Sequence, residues 1–206
     1  MDYMATLPDK AFELAIVDPP YGINAGKRRG DTGKNKHIRQ REYKYGDWDS
    51  SSPDDNYFKE LKRVSEHQII WGGNYFNLGP SKCYIVWNKK NGENLYADCE
   101  LAWASFDSAV RMFEYRWFGF LQEKSGDLKE TRIHPTQKPV ALYKWLLHNY
   151  AQKGDRILDT HLGSASSAIA SHEMGFDFVG IELDPDYYAA ATKRYNNAIK
   201  QQRLFS

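Results

Sequence analysis

Short apolar runs alternate with helix-like segments along most of this chain, and this alternation constrains the fold more than any other feature. Strand-like runs are predicted at 14–17, 68–71, 83–87, 100–105, 156–159 and 178–182. Helices are predicted at about 54–65, from 140 to about 150, at 166–174 and from Pro185 onward. The alternation indicates an α/β fold with a doubly wound, mostly parallel sheet that binds ligands at the carboxyl ends of its strands. The polar connection between 83–87 and 100–105 predicts an antiparallel pair within that sheet.

The length and composition favour one domain that spans residues 1–206. With 41% hydrophobic and 27% charged residues, the chain has material for one sizeable core. No run approaches the roughly 18 apolar residues of a membrane span, and the start lacks a signal-peptide pattern. We therefore expect a soluble, cytoplasmic protein with no membrane partner. Cys83 and Cys99 lie in strand-like surroundings without a Cys/His cluster, which predicts free core thiols and no metal site.

Asp18, Pro19, Pro20 and Tyr21 end the first predicted strand abruptly, because two prolines cannot continue a strand ladder. The segment could be a plain turn, but it also combines a carboxylate, a free carbonyl and an aromatic face. The Asp18 side chain and the Pro19 carbonyl can accept both hydrogens of an exocyclic amino group. Tyr21 can stack on a base, which must be flipped out of a duplex to be reached. These residues are the predicted catalytic site.

A second candidate site is predicted near the C-terminus, where a strand ending in Asp159 runs into a small-residue loop and a helix. The loop includes Gly163 and Ser164, and Glu182 ends the next predicted strand. A small-residue turn at a helix N-terminus lets a ligand approach the backbone, and an acid at the next strand end can accept ribose hydroxyls. This pattern favours nucleoside binding over a purely structural turn. The sequence has no P-loop lysine here, which argues against a triphosphate ligand.

Basic residues are concentrated directly after the catalytic motif, with eight basic and two acidic residues between Lys27 and Lys44. Clustered positive charge neutralises DNA phosphates, so a DNA-contacting loop is predicted at about 24–52. A solvated surface loop is the alternative from charge alone, and the net charge of +1 for the whole chain favours neither. The predicted DNA-binding residues are Lys27, Arg28, Arg29, Lys34, Lys36, Arg39 and Arg41.

Together these motifs resemble the N4/N6 DNA methyltransferase family, whose catalytic motif is DPPY or SPPY. Residues 18–21 match that motif in all four positions, and 134–139 (HPTQKP) are similar to the segment before the cofactor-covering helix. Residues 71–76 and 86–90 are similar to segments that flank the pocket. The catalytic motif precedes the cofactor loop, which is the circularly permuted β-type order of this Rossmann-like fold. The resemblance spans about residues 5–195.

The resemblance implies direct transfer of a methyl group from S-adenosylmethionine to a base in double-stranded DNA, without a metal. Asp rather than Ser at position 18 favours adenine N6, and a bacterial or phage restriction-modification protein at the nucleoid is expected. A short recognition segment is expected at about 106–133, and a homodimer is possible because dimers are frequent in the family. The residues implied to bind the cofactor are Asp159, His161, Gly163, Ser164, Glu182, His134, Thr136 and Lys138.

Three departures from the family pattern keep alternatives open. Thr160, His161 and Ala165 replace the usual Pro, Phe and Gly of the cofactor loop, and the Ala165 methyl group predicts weaker cofactor binding. The chain begins within or just before the helix that normally follows a further strand, and the segment available for recognition is short. The alternatives are a cytosine N4 methyltransferase, an enzyme acting on RNA or a free amine, and a catalytically impaired nucleic-acid-binding module.

Overall fold

The computed structural model describes residues 1–24, 49–92, 97–118 and 121–203, and within them it contains each helix and strand that the sequence predicts. The helices are α1 (Asp2–Ala5), α2 (Asp55–Val64), α3 (Val140–Tyr150), α4 (Ser166–Met174) and α5 (Pro185–Arg203). The strands are β1 (Phe12–Val17), β2 (Ser65–Trp71), β3 (Cys83–Asn88), β4 (Cys99–Ala104), β5 (Arg111–Glu114), β6 (Trp117–Phe118), β7 (Leu121–Gln122), β8 (Arg156–Asp159) and β9 (Asp177–Gly180). The predicted DNA-binding residues, Lys27, Arg28, Arg29, Lys34, Lys36, Arg39 and Arg41, lie outside the described residues.

Seven strands form one sheet in the order β5-β3-β4-β2-β1-β8-β9. The strand β1 pairs in parallel with β2 and with β8, and β8 pairs in parallel with β9. The strands β3 and β4 pair antiparallel from Cys83↔Ala104 to Asn88↔Cys99. The predicted mostly parallel sheet with an antiparallel pair is therefore confirmed. Since β1, β2 and β8 are parallel, the residues that follow their carboxyl ends lie close together at the same end of the strands.

Helices cover both faces of the sheet, and this explains why β1 reads as a continuous apolar run. Leu14 and Ile16 face one layer, where they join a core cluster that includes Leu142 and Leu146 of α3. Ala15 and Val17 face the other layer, where their cluster includes Leu61 of α2. The helix α2 begins where the Asp54 side chain accepts a hydrogen bond from the Tyr57 backbone amide at 3.0 Å.

The segment predicted for target recognition, about 106–133, contributes a strand to the main sheet. Residues Arg111–Glu114 of β5 pair in parallel with β3 at the outer edge of the sheet. The sequence analysis did not predict this strand, because three of its four residues are exposed and no apolar run marks it. The short strands β6 and β7 form a separate antiparallel pair.

The two cysteines differ in burial, although neither is part of a disulfide. Cys83 is fully buried, as predicted, whereas Cys99 at the start of β4 is only half-buried, so the prediction of a core thiol is wrong there. Trp71, Trp87 and Trp103 are buried in the core. Within the described ranges, no helix has the length and apolar character to cross a membrane.

Candidate active site

Two adjoining cavities open at the edge of the sheet where β1, β2 and β8 end. The larger has a volume of about 310 Å³ and the smaller about 150 Å³. Gly163 and Glu182 line the larger cavity, and Tyr21 and Glu100 line the smaller one. Four residues line both cavities, namely Asp18, Pro20, Thr136 and Lys138. The predicted catalytic motif and the predicted cofactor loop therefore meet at a shared wall.

The Asp18 carboxylate is held on both oxygens by neighbouring side chains. Its Oδ1 accepts a hydrogen bond from the Tyr21 hydroxyl at 2.7 Å, and its Oδ2 is paired with the Lys138 ammonium. Lys138 Nζ also lies 3.1 Å from Glu100 Oε2, and Glu100 Oε1 lies 2.6 Å from Lys89 Nζ. Charges of alternating sign thus run from Lys89 through Glu100 and Lys138 to Asp18.

Burial and charge act in opposite directions on the members of this chain of ion pairs. The Lys138 side chain is only 3% exposed, and burial alone would lower its pKa. Asp18 and Glu100 outweigh that effect and raise the pKa of Lys138 above its usual value. Burial alone would raise the pKa of Glu100, but Lys138 and Lys89 lower it to about 2. Lys138 and Glu100 are therefore both ionised at neutral pH.

Asp49 and Tyr75 hold Tyr21 in place from two sides. Asp49, which is 2% exposed, accepts hydrogen bonds from the backbone amides of Tyr21 at 2.6 Å and Gly22 at 2.9 Å. The Tyr21 ring stacks on Tyr75 with 4.9 Å between ring centroids and 13° between planes. Because Tyr21 also lines the smaller cavity, its stacking on a base there stays a prediction.

Gly72 packs so closely on Tyr21 that a side chain at this position should displace the ring. It has φ +71°, and a Cβ atom there would lie 2.2 Å from a ring carbon of Tyr21. We expect Gly72→Ala to lower the predicted methyl transfer at least tenfold, because a catalytic group displaced by about 1 Å can cost a factor of about 100 in rate. Gly79 is a matched control, because it has φ +82° but a Cβ atom added to it would have no atom within 4 Å.

The Gly79→Ala variant should lose only about 1 to 2 kcal/mol of unfolding free energy, the cost of a left-handed alanine, and keep its turnover. Initial rates on DNA and thermal unfolding of both variants measure the difference. Equal losses of turnover in the two variants would show that backbone strain, rather than contact with Tyr21, is responsible.

Asp159 does not line the larger cavity, and its predicted contact with the cofactor stays a prediction. Its carboxylate turns into the loop, where Oδ1 accepts from the His161 amide at 2.9 Å and Oδ2 from the Ser167 hydroxyl at 2.6 Å. It is 2% exposed and does not line the larger cavity, and burial raises its pKa to about 7. Asp159 therefore ties the loop to the start of α4, because one donor from each converges on its carboxylate.

Gly163, Ser164 and Glu182 do line the larger cavity. Glu182 Oε2 accepts from the Gly163 amide at 2.8 Å, and Oε1 accepts from the Asp184 amide at 3.0 Å. Glu182 lies two residues beyond the end of β9 at Gly180, in the turn that leads to α5. Each carboxylate oxygen has two lone pairs, so Glu182 can still accept hydrogen bonds from a ligand.

His161, His134 and Thr136 also line the larger cavity. Burial is the main cause that lowers the pKa of each histidine to about 4, so both are neutral at physiological pH. His161 Nδ1 lies 3.0 Å from the Thr160 hydroxyl, and His134 Nδ1 lies 3.1 Å from the Thr136 hydroxyl. Thr160 and His161, which stand where the family usually has Pro and Phe, thus form a polar part of the cavity wall.

Ala165 occupies the left-handed conformation that the family's glycine would adopt freely, with φ +61° and ψ +25°. Its side chain does not line the larger cavity but packs with Ala168 and Ala191. The predicted loss of cofactor affinity from this methyl group therefore has no support in the geometry. Arg194 fixes the same loop, because its guanidinium donates to the Ser164 carbonyl at 2.6 Å and pairs with Glu130 at 2.7 Å.

Replacing Ala165 with glycine is expected to change the free energy of unfolding by less than about 1 kcal/mol, since relief of left-handed strain offsets the lost methyl burial. Ala168→Gly in α4 should cost about 1 to 2 kcal/mol, because it loses a methyl group and helix propensity without relieving strain. Denaturant unfolding compares the two variants, and calorimetric titration with S-adenosylmethionine should give the wild-type affinity for Ala165→Gly. Tighter binding by that variant would restore the sequence-based expectation.

Several residues of the site carry little signal in the sequence and were not predicted, of which Glu100, Asp49 and Tyr187 matter most. Glu100 had one usable signal, a charge within the strand-like run 100–105, and Asp49 had none. Tyr187 lines the larger cavity, and its ring centroid lies 4.5 Å from that of His134. Because α5 starts at Pro185, the first turn of that helix faces the cavity.

Comparisons with known proteins identify the family. The N6/N4 DNA methylase family matches residues 67–193. Type II methyltransferase M2.MboI of Moraxella bovis is 23% identical over 238 residues, which cover 95% of this chain and 85% of that protein. The structure of TTHA0409 of Thermus thermophilus complexed with S-adenosyl-L-methionine has a TM-score of 0.55 and 15% identity, covering 96% of this chain and 90% of that one.

A solved structure of the cytosine-N4-specific PvuII DNA methyltransferase is also similar, with a TM-score of 0.54 and 13% identity over 96% of this chain and 89% of that chain. These structural likenesses confirm the Rossmann-like methyltransferase fold but do not distinguish between target bases. The family match covers more than half of the chain and includes the cofactor loop. The chain therefore belongs to the N6/N4 DNA methylase family.

Proposed function

We propose that this chain transfers a methyl group from S-adenosylmethionine to N6 of an adenine that is flipped out of double-stranded DNA. The observation that carries the proposal is the wall shared by the two cavities, which contains Asp18 and Lys138. A cofactor in the larger cavity and a base in the smaller one would meet at the Asp18 carboxylate.

The residues of the larger cavity fit S-adenosylmethionine. Its volume of about 310 Å³ is within the usual range for small-molecule sites. Glu182 can accept ribose hydroxyls, Tyr187 and Ile181 offer apolar surface to an adenine ring, and Gly163 allows close backbone approach. When bound, S-adenosylmethionine supplies an electrophilic methyl group on its sulfonium.

The residues at the shared wall can orient and polarise the amino group of the target base. The Asp18 carboxylate and the Pro19 carbonyl accept its two hydrogens and stabilise the positive charge that develops on nitrogen. Tyr21 and Lys138 fix the Asp18 carboxylate in one orientation before the base arrives. Such preorganisation lowers the barrier because no reorientation is needed during transfer. The proton that the nitrogen then loses can pass to Asp18.

Two further observations support the DNA target and the choice of adenine. Asp rather than Ser at position 18 is typical of adenine-specific members of the family. The relative M2.MboI is named a Type II methyltransferase, which supports a restriction-modification role. We place one methyltransferase domain over residues 1–206, with the pair β6 and β7 as part of the recognition segment at about 106–133.

The test is transfer of a labelled methyl group from S-adenosylmethionine to unmethylated duplex DNA, followed by nucleoside analysis. N6-methyladenine is the expected product. N4-methylcytosine would overturn the choice of base while keeping the reaction. No transfer by a protein that still binds DNA would indicate an impaired binding module instead.

Neutralising Arg28 and Arg29 together should weaken DNA binding and reduce the slope of log affinity against log salt concentration by about 2, one for each lost phosphate contact. These residues lie outside the described ranges, so the prediction rests on the sequence alone. Fluorescence anisotropy at several salt concentrations measures the slope. An unchanged slope would remove the two arginines from the interface.

A further inference from the structure

The smaller cavity presents three charged groups in a fixed series, the carboxylate of Asp18, the ammonium of Lys138 and the carboxylate of Glu100. Lys138 is paired with Asp18 on one side and lies 3.1 Å from Glu100 Oε2 on the other. The cavity wall therefore offers an acceptor, a donor and an acceptor in that order. The third N–H donor of Lys138 makes only a long contact, 3.5 Å, with the Tyr21 hydroxyl, so it can serve a ligand.

Glu100 has capacity to accept a hydrogen bond from a ligand in this cavity. Its Oε1 pairs with Lys89 Nζ at 2.6 Å. Its Oε2 is buried and lies 3.1 Å from the Lys138 ammonium, so a ligand in the cavity would meet the rest of the side chain, which is 26% exposed. Oε1 keeps a further lone pair beside its contact with Lys89. A carboxylate at the wall of a small cavity strongly disfavours a second acceptor placed against it, because neither group has a hydrogen to donate.

The edges of adenine and cytosine differ at the position that Glu100 would face. Adenine presents an amino group, the acceptor N1 and then C2–H. Cytosine presents an amino group, the acceptor N3 and then the acceptor O2. With the amino group on Asp18, the ring nitrogen of either base can accept from Lys138. The third position separates them, because C2–H is weakly positive and O2 is negative.

We propose that Glu100 is a specificity-determining residue, whose carboxylate opposes cytosine O2 and admits the C2–H edge of adenine. This inference rests on the proposed function, because it places the target base in the smaller cavity. A base with a donor at the third position, 2,6-diaminopurine, completes the complementary series and is a further expected substrate.

The experiment compares the wild type with Glu100→Gln, whose amide can donate to O2. The methylated site is first located from the wild-type product. Duplexes are then made with adenine, cytosine or 2,6-diaminopurine at the target position. Each target base lies opposite an abasic site, so that no base pair has to be broken when the base is flipped out. Glu66→Gln is the matched control, because Glu66 is an exposed residue near the start of β2, at the opposite end of the sheet from the cavities.

We expect the ratio of cytosine to adenine methylation to rise at least about tenfold in Glu100→Gln, the usual effect of one mismatched buried hydrogen bond, and to stay unchanged in Glu66→Gln. If Glu100→Gln is folded but inactive, binding is measured in place of methylation. Fluorescence anisotropy with S-adenosylhomocysteine present then gives the ratio of its affinities for the cytosine and adenine duplexes. An unchanged ratio with adenine still preferred would overturn this inference alone. Wild-type methylation of cytosine in place of adenine would overturn the proposed function as well.

Discussion

Replacing Asp18 with alanine is expected to lower methyl transfer to DNA by about 100- to 1,000-fold or more, the usual cost of removing one preorganised polar group from a reacting centre. The variant loses the acceptor that we propose orients the amino group, and it leaves the Tyr21 hydroxyl without its partner at 2.7 Å. The affinity for S-adenosylmethionine should stay within about a factor of three, because Glu182 and Gly163 are unchanged. Single-turnover transfer and calorimetric titration measure the two quantities separately.

Asp107→Ala is the matched control for this prediction. Asp107 follows the end of β4 at the opposite edge of the sheet, and its side chain is 80% exposed in an ion pair with Lys82. Its removal should leave both turnover and cofactor affinity at wild-type values. Near wild-type turnover in Asp18→Ala would show that Asp18 does not orient the amino group.

Replacing Lys138 with methionine is expected to lower the free energy of unfolding by about 3 to 5 kcal/mol, the usual cost of breaking a buried ion pair from one side. The Lys138 side chain is 3% exposed, and its removal leaves Asp18 and Glu100 facing each other without a cation between them. The pKa of Glu100, which Lys138 and Lys89 hold at about 2 against the effect of burial, should rise.

The measurement is denaturant unfolding of Lys138→Met, with Lys82→Met as its control. Lys82 pairs with Asp107 on the surface and is 78% exposed, so its loss should cost less than about 1 kcal/mol. Because Glu100 would bind a proton more tightly in the folded variant, part of the lost stability should return as the pH falls below about 5. A loss equal to that of Lys82→Met would show that the two carboxylates are solvated without Lys138.

Most of the fold could be predicted because both sides of the sheet are covered. Strands such as β1 and β2 are then apolar runs that stop abruptly, and this signal is local in sequence. The strand β5 gave no such signal, since it lies at the edge with its side chains mostly in solvent. Its place depends on pairing with β3, which is a tertiary property.

The place of a residue in the candidate site was predictable where it directly follows a strand or lies in the small-residue loop, as for Asp18 and Gly163, which both line a cavity. Glu100 and Asp49 could not be predicted, because their roles depend on contacts with Lys138 and Tyr21, which are distant along the chain. Asp159 shows the converse case. Its position at a strand end predicts a ligand contact, and the structure adds two contacts of the carboxylate, with the His161 amide of its own loop and the Ser167 hydroxyl of α4.

The wall shared by the two cavities has a consequence for inhibitor chemistry. Because the two cavities share a wall, a single compound could occupy both cavities at once. The shared residues are Asp18, Pro20, Thr136 and Lys138. Such a bisubstrate ligand would join an adenosine group to the amino nitrogen of a second adenine. A short linker would replace the sulfonium methyl group, and this linker would lie beside Asp18. Linking the two fragments removes the separate entropic cost of binding each one, so the compound should bind far more tightly than either half.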